Sequence, residues 1–66
     1  MRLTINGTPQ EVLDGLTVER FLLEHAGSTR GSAVVVDGEV VPRGLWADHR
    51  LADGQSIELI TAVQGG

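Results

Sequence analysis

This 66-residue chain has no cysteine and no lysine, and each absence excludes a class of chemistry. Without cysteine there is no disulfide, no thiol nucleophile and no thiolate metal ligand, which favours a reducing compartment. Without lysine there is no side-chain amine for a Schiff base, because all five basic residues are arginines. We therefore expect no catalytic residue and no metal site in this chain.

Aromatic residues, long apolar runs and positive charge are also scarce. Aromatic side chains make up 3% of the sequence, so Val, Leu and Ile must build the core. The longest apolar run, residues 33–36, is too short to cross a membrane, and the first six residues lack the apolar segment of a signal peptide. Nine acidic residues against five basic ones argue against a nucleic-acid partner. These features favour a cytoplasmic protein that binds neither membrane nor nucleic acid.

The chain is also too short for an enclosed active site. A domain of this size buries only about 60% of the surface that its unfolded chain exposes. We expect one small core, and a protein that acts with partner enzymes rather than as an enzyme itself.

The first half of the sequence predicts a hairpin followed by a helix. Leu3 and Ile5 alternate with polar residues before Asn6-Gly7, a pair typical of a type I′ turn, and residues 8–12 can return as the second strand. Pro9 lacks an N–H group, which favours a sheet edge for that strand. Thr17 is a typical N-cap, and the apolar spacing predicts a helix over residues 17–26 that ends at Gly27.

The second half predicts another hairpin and a final strand. Residues 33–36 meet Asp37-Gly38, a second type I′ signal, and residues 39–41 pair back until Pro42. Residues 44–48 are short enough for a turn or a 3₁₀ segment, and residues 51–54 predict a turn. Residues 56–62 form the last strand, with Ile57 and Leu59 facing the helix.

This element order predicts an α+β fold in which one helix packs on a mixed five-stranded sheet, with the last strand beside the first. That arrangement is the ubiquitin-like β-grasp. We expect a domain over residues 1–62 and a flexible C-terminal Gly-Gly tail over residues 63–66. The predicted core is apolar throughout: Leu3, Ile5, Val18, Phe21, Leu22, Val34, Val36, Leu51, Ile57 and Leu59.

The tail, Val63-Gln64-Gly65-Gly66, is the one feature that packing does not explain. Four extended residues reach roughly 13 Å, and glycines without side chains could enter a narrow enzyme channel. The terminal carboxylate is ionised at neutral pH and is a poor electrophile, so a partner must activate it before a nucleophile attacks. The alternative is that Gly-Gly is only a frayed chain end.

The chain resembles the ubiquitin-like sulfur carriers of thiamine biosynthesis, the ThiS family. The resemblance rests on the strand and helix order, on the turn at residues 51–54 and on Gly65-Gly66. It also rests on the segment VPRGLW at residues 41–46, which is similar to the V-P-R-x-x-W stretch of that family. Gln55 departs from the aspartate that the family commonly has after the Asp-Gly pair.

The resemblance implies a specific chemistry at Gly66. An E1-like adenylyltransferase of the ThiF kind would use ATP to adenylate the Gly66 carboxylate, with Val63, Gln64 and Gly65 held in its channel. Sulfur from a cysteine desulfurase would then displace AMP and leave a thiocarboxylate. Thiazole synthase, of the ThiG kind, would take that sulfur. The chain itself would bind no cofactor.

Three other interpretations remain open at this stage. The chain could be a sulfur carrier subunit of the molybdopterin-synthase type, whose members are usually longer and lack the stretch at residues 41–46. It could be a ubiquitin-like modifier joined to other proteins through the same terminus. It could also be a binding domain in which the two terminal glycines are accidental.

Two pairs of residues are candidates for a partner surface. Arg43 and Trp46 belong to residue types that are enriched in binding hot spots, although Trp46 could equally cover the open end of the core. Val35 and Ile60 are expected to face away from the helix on adjacent strands and to form a small apolar patch. Ordinary surface apolarity is the alternative for that patch.

Overall fold

A computed structural model of the chain describes residues 1–27 and 30–61. These residues form five strands, one helix and one 3₁₀ turn. In chain order they are β1 (Arg2–Ile5), β2 (Thr8–Glu11), α1 (Val18–Ala26), β3 (Ser32–Val36), β4 (Glu39–Val40), the 3₁₀ turn (Arg43–Leu45) and β5 (Ser56–Thr61).

Both predicted hairpin turns are confirmed by their backbone angles. Asn6 and Gly7 have φ values of 50° and 84°, and Asp37 and Gly38 have values of 49° and 85°. Two consecutive positive φ angles define the type I′ turn, whose twist matches that of the flanking strands. The strand order β2-β1-β5-β3-β4 places β2, with Pro9, at the sheet edge as predicted.

The helix begins and ends at the residues that its capping pattern indicates. The Thr17 side-chain oxygen accepts a hydrogen bond of 3.2 Å from the Arg20 N–H, which makes Thr17 the N-cap. Gly27 ends the helix with a φ of 72°. Helical geometry therefore starts at Val18, one residue later than predicted.

β5 lies in the middle of the sheet and joins its two halves. It runs parallel to β1, with Ile57 beside Ile5, and antiparallel to β3, with Leu59 opposite Val34. The last strand therefore lies beside the first, which confirms the predicted β-grasp arrangement. No helix among residues 1–27 and 30–61 is long and apolar enough to cross a membrane.

The strands at both edges are shorter than predicted. β4 ends at Val40 rather than residue 41, although the Val41 N–H still donates to the Val34 carbonyl at 2.9 Å. Pro42 has no N–H group, so the ladder cannot continue. β2 ends at Glu11 rather than residue 12. Residue 62, the predicted end of the last strand, lies outside the described residues.

The core lies between the helix and one face of the sheet. All the predicted core residues are buried except Leu59, which is half-buried and packs against the others. Leu16, Val41 and Trp46 are also buried, and the predicted core omitted them. They lie just outside the regular elements, where neither helical nor strand periodicity applies.

Candidate functional site

The C-terminal tail continues from the central strand of the sheet. β5 ends at Thr61, which lies opposite Ser32 at the start of β3. Two residues earlier, the Leu59 N–H donates to Asn6 Oδ1 at 2.9 Å and ties β5 to the β1–β2 turn. The tail segment that carries Val63, Gln64, Gly65 and Gly66 lies outside the described residues. Their roles remain predictions.

An apolar surface lies on the sheet face opposite the helix, and we call it the outer patch. It consists of Ala33, Val35, Val40 and Ile60. Ile60 lies directly opposite Ala33, and Val35 lies directly opposite Val40, so the four side chains share one face. Ile60 is 53% exposed and Val40 is 67% exposed, whereas Val35 is half-buried. Val35 and Ile60 thus face away from the helix as expected, and their contact with a partner stays a prediction.

Sequence reasoning missed Val40 as a member of this patch. The sequence does contain the information that places Val40 there. A two-residue turn at Asp37-Gly38 pairs Val36 with Glu39 and therefore Val35 with Val40. The register also places Glu58 directly opposite Val35. The outer patch therefore has one carboxylate beside its centre.

Trp46 is part of the core, and it covers the end of the core beneath the 3₁₀ turn. Its side chain is 4% exposed, and its indole N–H donates to the Val41 carbonyl at 2.8 Å. The Arg43 guanidinium carbon lies 5.2 Å from the centre of the indole ring, within the range of a cation–π contact. Arg43 and Trp46, both candidates for a partner surface, thus stack on each other within this chain. Trp46 offers little surface to a partner, while Arg43 remains exposed.

The N-terminal ammonium forms an ion pair with Asp14. It donates to Asp14 Oδ1 at 2.8 Å and to the Val12 carbonyl at 2.8 Å. The hydrogen bond from the ammonium lowers the pKa of Asp14, and the same hydrogen bond raises the pKa of the ammonium. This surface contact ties β1 to the segment before the helix.

No three His, Asp or Glu side chains within the described ranges come together in an arrangement that could hold a metal ion. The candidate site in the described part of the chain therefore consists of the outer patch and the strand from which the tail continues.

A comparison with protein-family models finds the ThiS family over residues 3–66. The match begins in β1 and extends to the terminal glycine. It therefore includes the tail as well as the folded domain.

Two curated relatives are similar over the full length of this chain. The sulfur carrier protein ThiS of Escherichia coli (strain K12) is 30% identical over 66 residues, which cover 100% of both chains. A thiazole synthase of Paramagnetospirillum magneticum (strain ATCC 700264 / AMB-1) is 33% identical over 66 residues. Those residues make up 20% of the thiazole synthase, so the chain spans one fifth of that relative.

Solved structures agree with the sequence relatives. The crystal structure of a thiamine biosynthesis protein (ThiS) from Geobacter metallireducens superposes with a TM-score of 0.83 and 29% identity, and the match covers 100% of both chains. A solution structure of a thiamine biosynthesis protein from the same organism superposes with a TM-score of 0.79 and 30% identity, over 100% of this chain and 88% of the other.

Proposed function

The chain belongs to the ThiS family of sulfur carriers in thiamine biosynthesis, and we propose that it carries sulfur as a thiocarboxylate on Gly66. The observation that supports this proposal most directly is the extent of the family match, which runs through the Gly-Gly end. The sequence provides no cysteine on which sulfur could be held. The C-terminal carboxyl group is then the position where sulfur can be bound covalently.

The first step in this proposal is activation of the Gly66 carboxylate. At neutral pH the carboxylate is ionised. A sulfur nucleophile that attacked it would have to expel an oxide ion, so the carboxylate must first be activated. An E1-like adenylyltransferase would transfer AMP from ATP to the carboxylate oxygen and release pyrophosphate. The carboxyl carbon of the acyl-adenylate is electrophilic because AMP is a good leaving group.

The second step replaces AMP with sulfur. A persulfide supplied through a cysteine desulfurase attacks the Gly66 carboxyl carbon, AMP leaves, and an acyl disulfide forms. A thiol then reduces the acyl disulfide, which leaves the Gly66 thiocarboxylate and a disulfide on the donor side. Val63, Gln64 and Gly65 would occupy the channel of the adenylyltransferase during these steps, because two of the last three residues have no side chain to obstruct it.

Thiazole synthase is the proposed acceptor of the sulfur. The relative from Paramagnetospirillum magneticum is a thiazole synthase, and one fifth of its length is similar to this chain. Joining a carrier-like domain and a synthase in one polypeptide keeps the two at a high effective concentration. That arrangement supports a direct contact between this chain and a separate synthase.

The outer patch is the proposed docking surface for these partners. Val40 and Ile60 are both more than half exposed on a flat sheet face. Ile60 also lies one residue before Thr61, where the described part of β5 ends, so a partner on this face would lie beside the start of the tail. Arg43 is a further candidate contact, as its exposed guanidinium lies over Trp46 at the end of the molecule.

The names of the relatives favour the thiamine pathway over the molybdopterin alternative. The modifier alternative predicts a different product, in which Gly66 forms an amide bond to another protein. The product at the terminus separates the modifier from the proposal, whereas the molybdopterin alternative differs from the proposal in the enzyme that accepts the sulfur.

Intact-mass spectrometry tests the proposed function. The chain is incubated with ATP, an E1-like adenylyltransferase of the ThiF kind, a cysteine desulfurase, cysteine and a thiol reductant. The expected result is a mass gain equal to the difference between sulfur and oxygen, and no gain when ATP is omitted. Covalent adducts on other proteins would favour the modifier. An unchanged mass with enzymes that thiocarboxylate the Escherichia coli carrier would contradict the proposal.

A further inference from the structure

A groove lies at the open edge of the sheet, on the opposite side of β4 from the outer patch. It has a volume of about 380 Å³ and runs between the β3–β4 hairpin and the 3₁₀ turn. Val41, Pro42 and Leu45 line it, and the Leu45 side chain is 53% exposed. We call this feature the edge groove.

The edge groove is acidic. Asp37 and Glu39 line it from the hairpin, His49 and Gln55 also line it, and no arginine does so among the described residues. Asp37 is held in place, because its Oδ1 accepts from the Ser56 N–H at 2.9 Å. Asp48 lies beside Leu45 in the adjoining depression. This lining suits a cationic side chain with apolar neighbours. The apolar walls have a low dielectric constant, which strengthens the attraction between the cation and the carboxylates.

The backbone of Val40 also faces the open edge. The Val41 N–H donates to the Val34 carbonyl, so residues 34 and 41 form a hydrogen-bonded pair. Such pairs alternate along an antiparallel ladder, which makes Val35 and Val40 a pair without mutual hydrogen bonds. The N–H and C=O groups of Val40 therefore point away from β3. An extended segment lying along β4 could bond to both groups.

The edge groove and the outer patch are continuous through Val40. This residue belongs to the outer patch and also lines the groove, because β4 is the edge strand that separates them. A partner that covers the outer patch next to Ile60 could extend across Val40 and around β4. The two surfaces would then form one footprint.

We propose that the edge groove binds a cationic segment of thiazole synthase, with an Arg or Lys side chain against Asp37 and Glu39 and an apolar neighbour against Val40 and Leu45. This proposal rests on the proposed function, because it takes the synthase as the partner. The charge of this chain supports a cationic occupant, since the net charge is −4 and the groove lining includes two carboxylates.

The test compares binding of groove variants and matched controls to the thiazole synthase of the same organism. Glu39→Arg reverses a groove charge, and Glu24→Arg makes the same change on the exposed helix surface. Leu45→Ser removes an exposed apolar side chain from the groove, and Leu23→Ser does so on the helix. Dissociation constants are measured by titration calorimetry, and thermal unfolding verifies that each variant folds.

We expect Glu39→Arg and Leu45→Ser each to raise the dissociation constant about tenfold, and the helix variants to bind as the wild type does. Raising the ionic strength should weaken binding by the wild type more than binding by Glu39→Arg. Salt screens the attraction between Glu39 and the cationic side chain, and the variant has already lost that attraction. Glu39→Gln keeps the shape of the side chain and should give a smaller increase. It replaces Glu39→Arg if the latter fails to fold.

The possible outcomes separate this proposal from the proposed function. Equal binding by the wild type and both groove variants would overturn the edge groove as a docking site and leave the carrier role intact. A wild type that gains sulfur at its terminus but does not bind the synthase would overturn both the partner and the groove. Equal losses in the groove and helix variants would also contradict the proposal, because the effect would then follow net charge or apolarity rather than position.

Discussion

At the scale of single residues, Trp46 shows how a residue typical of binding surfaces can serve the core instead. Its indole N–H bonds to the Val41 carbonyl, and the ring is covered on one side by Arg43. The Trp46 carbonyl also accepts from the Glu19 N–H at 3.1 Å, at the start of the helix. Trp46 therefore connects the 3₁₀ turn to the helix through its backbone carbonyl and to Val41 through its side chain.

Replacing Trp46 with phenylalanine should destabilise the fold. The smaller ring leaves a cavity and leaves the Val41 carbonyl without its donor, which together cost about 1–3 kcal/mol in the free energy of unfolding. Urea denaturation measures this loss. Under conditions where the variant is folded, binding to thiazole synthase should be unchanged. Unaltered stability combined with lost binding would instead show that Trp46 contacts the partner.

The ion pair between the N-terminal ammonium and Asp14 should give a small dependence of stability on pH. The lowered pKa of Asp14 means that its contribution is present above the unfolded pKa and is lost as pH falls through the folded pKa. The raised pKa of the ammonium means that its contribution is lost as pH rises through the folded pKa. The pair should therefore contribute fully only between about pH 5 and pH 7.

Asp14→Asn tests this pH dependence. The melting temperature of the variant should lie below that of the wild type within that pH window, and the difference should shrink in strong acid and strong base. Glu24→Gln is the control, since Glu24 is exposed and lies on the helix. A difference between Asp14→Asn and the wild type that stays constant across the pH range would contradict the ion-pair account.

At the scale of secondary-structure elements, the sequence patterns that predicted turns and helix ends are confirmed, and each has a local physical cause. Asn6-Gly7 and Asp37-Gly38 predicted the two hairpins because few other residue pairs tolerate two positive φ angles. Thr17 predicted the helix start because its side-chain oxygen accepts from a backbone N–H that the helix leaves free, and Gly27 predicted the end because glycine adopts a positive φ angle without strain.

Other parts of the fold could not be predicted in this way. The burial of Leu16, Val41 and Trp46 depends on how the segments between elements fold back over the core, and sequence periodicity does not report that. The edge groove has the same origin, since it forms between the β3–β4 hairpin and the 3₁₀ turn, and no single helical or strand periodicity spans both. By contrast, the outer patch could be predicted, because strand alternation places Val35 and Ile60 on one face.

The N-cap of the helix can be tested directly. Thr17→Ala removes the acceptor for the Arg20 N–H and should cost about 1 kcal/mol. For a domain of this size that loss lowers the melting temperature by about 4–8 °C. Thr8→Ala, at an exposed position on the edge strand β2, is the control and should lower it less. Equal shifts in the two variants would show that the Thr17 cap does not stabilise the helix.

The outer patch is best tested at Ile60. Val35→Asp would place a second carboxylate directly opposite Glu58, so the variant would confound lost binding with like-charge repulsion. Ile60 lies opposite Ala33 and is 53% exposed, which makes Ile60→Ser a milder change. We expect it to weaken binding to thiazole synthase several-fold with little change in melting temperature. Leu23→Ser on the helix is the matched control, and equal binding by both variants would remove the outer patch from the interface.

At the scale of the whole molecule, the lack of cysteine and the small core together limit where sulfur can be carried. All the buried core residues of the described part lie between Leu3 and Ile57, ahead of the predicted tail in the chain. In the proposed function the reacting group is the Gly66 carboxyl, and partner enzymes would bind the domain while that terminus reacts. The family resemblance predicts the site at Gly66, and the folded domain supplies the outer patch, part of which lies on the strand that precedes the predicted tail in the chain.

The measurement that tests the central claim most directly is fragmentation of the intact, sulfur-loaded chain in a mass spectrometer. The account predicts that the mass gain from the oxygen-to-sulfur exchange is found only in fragments that contain Gly66. It also predicts that deleting Gly66 abolishes the gain and leaves cooperative unfolding unchanged. A gain that maps to any other residue, or that persists without Gly66, would contradict the account.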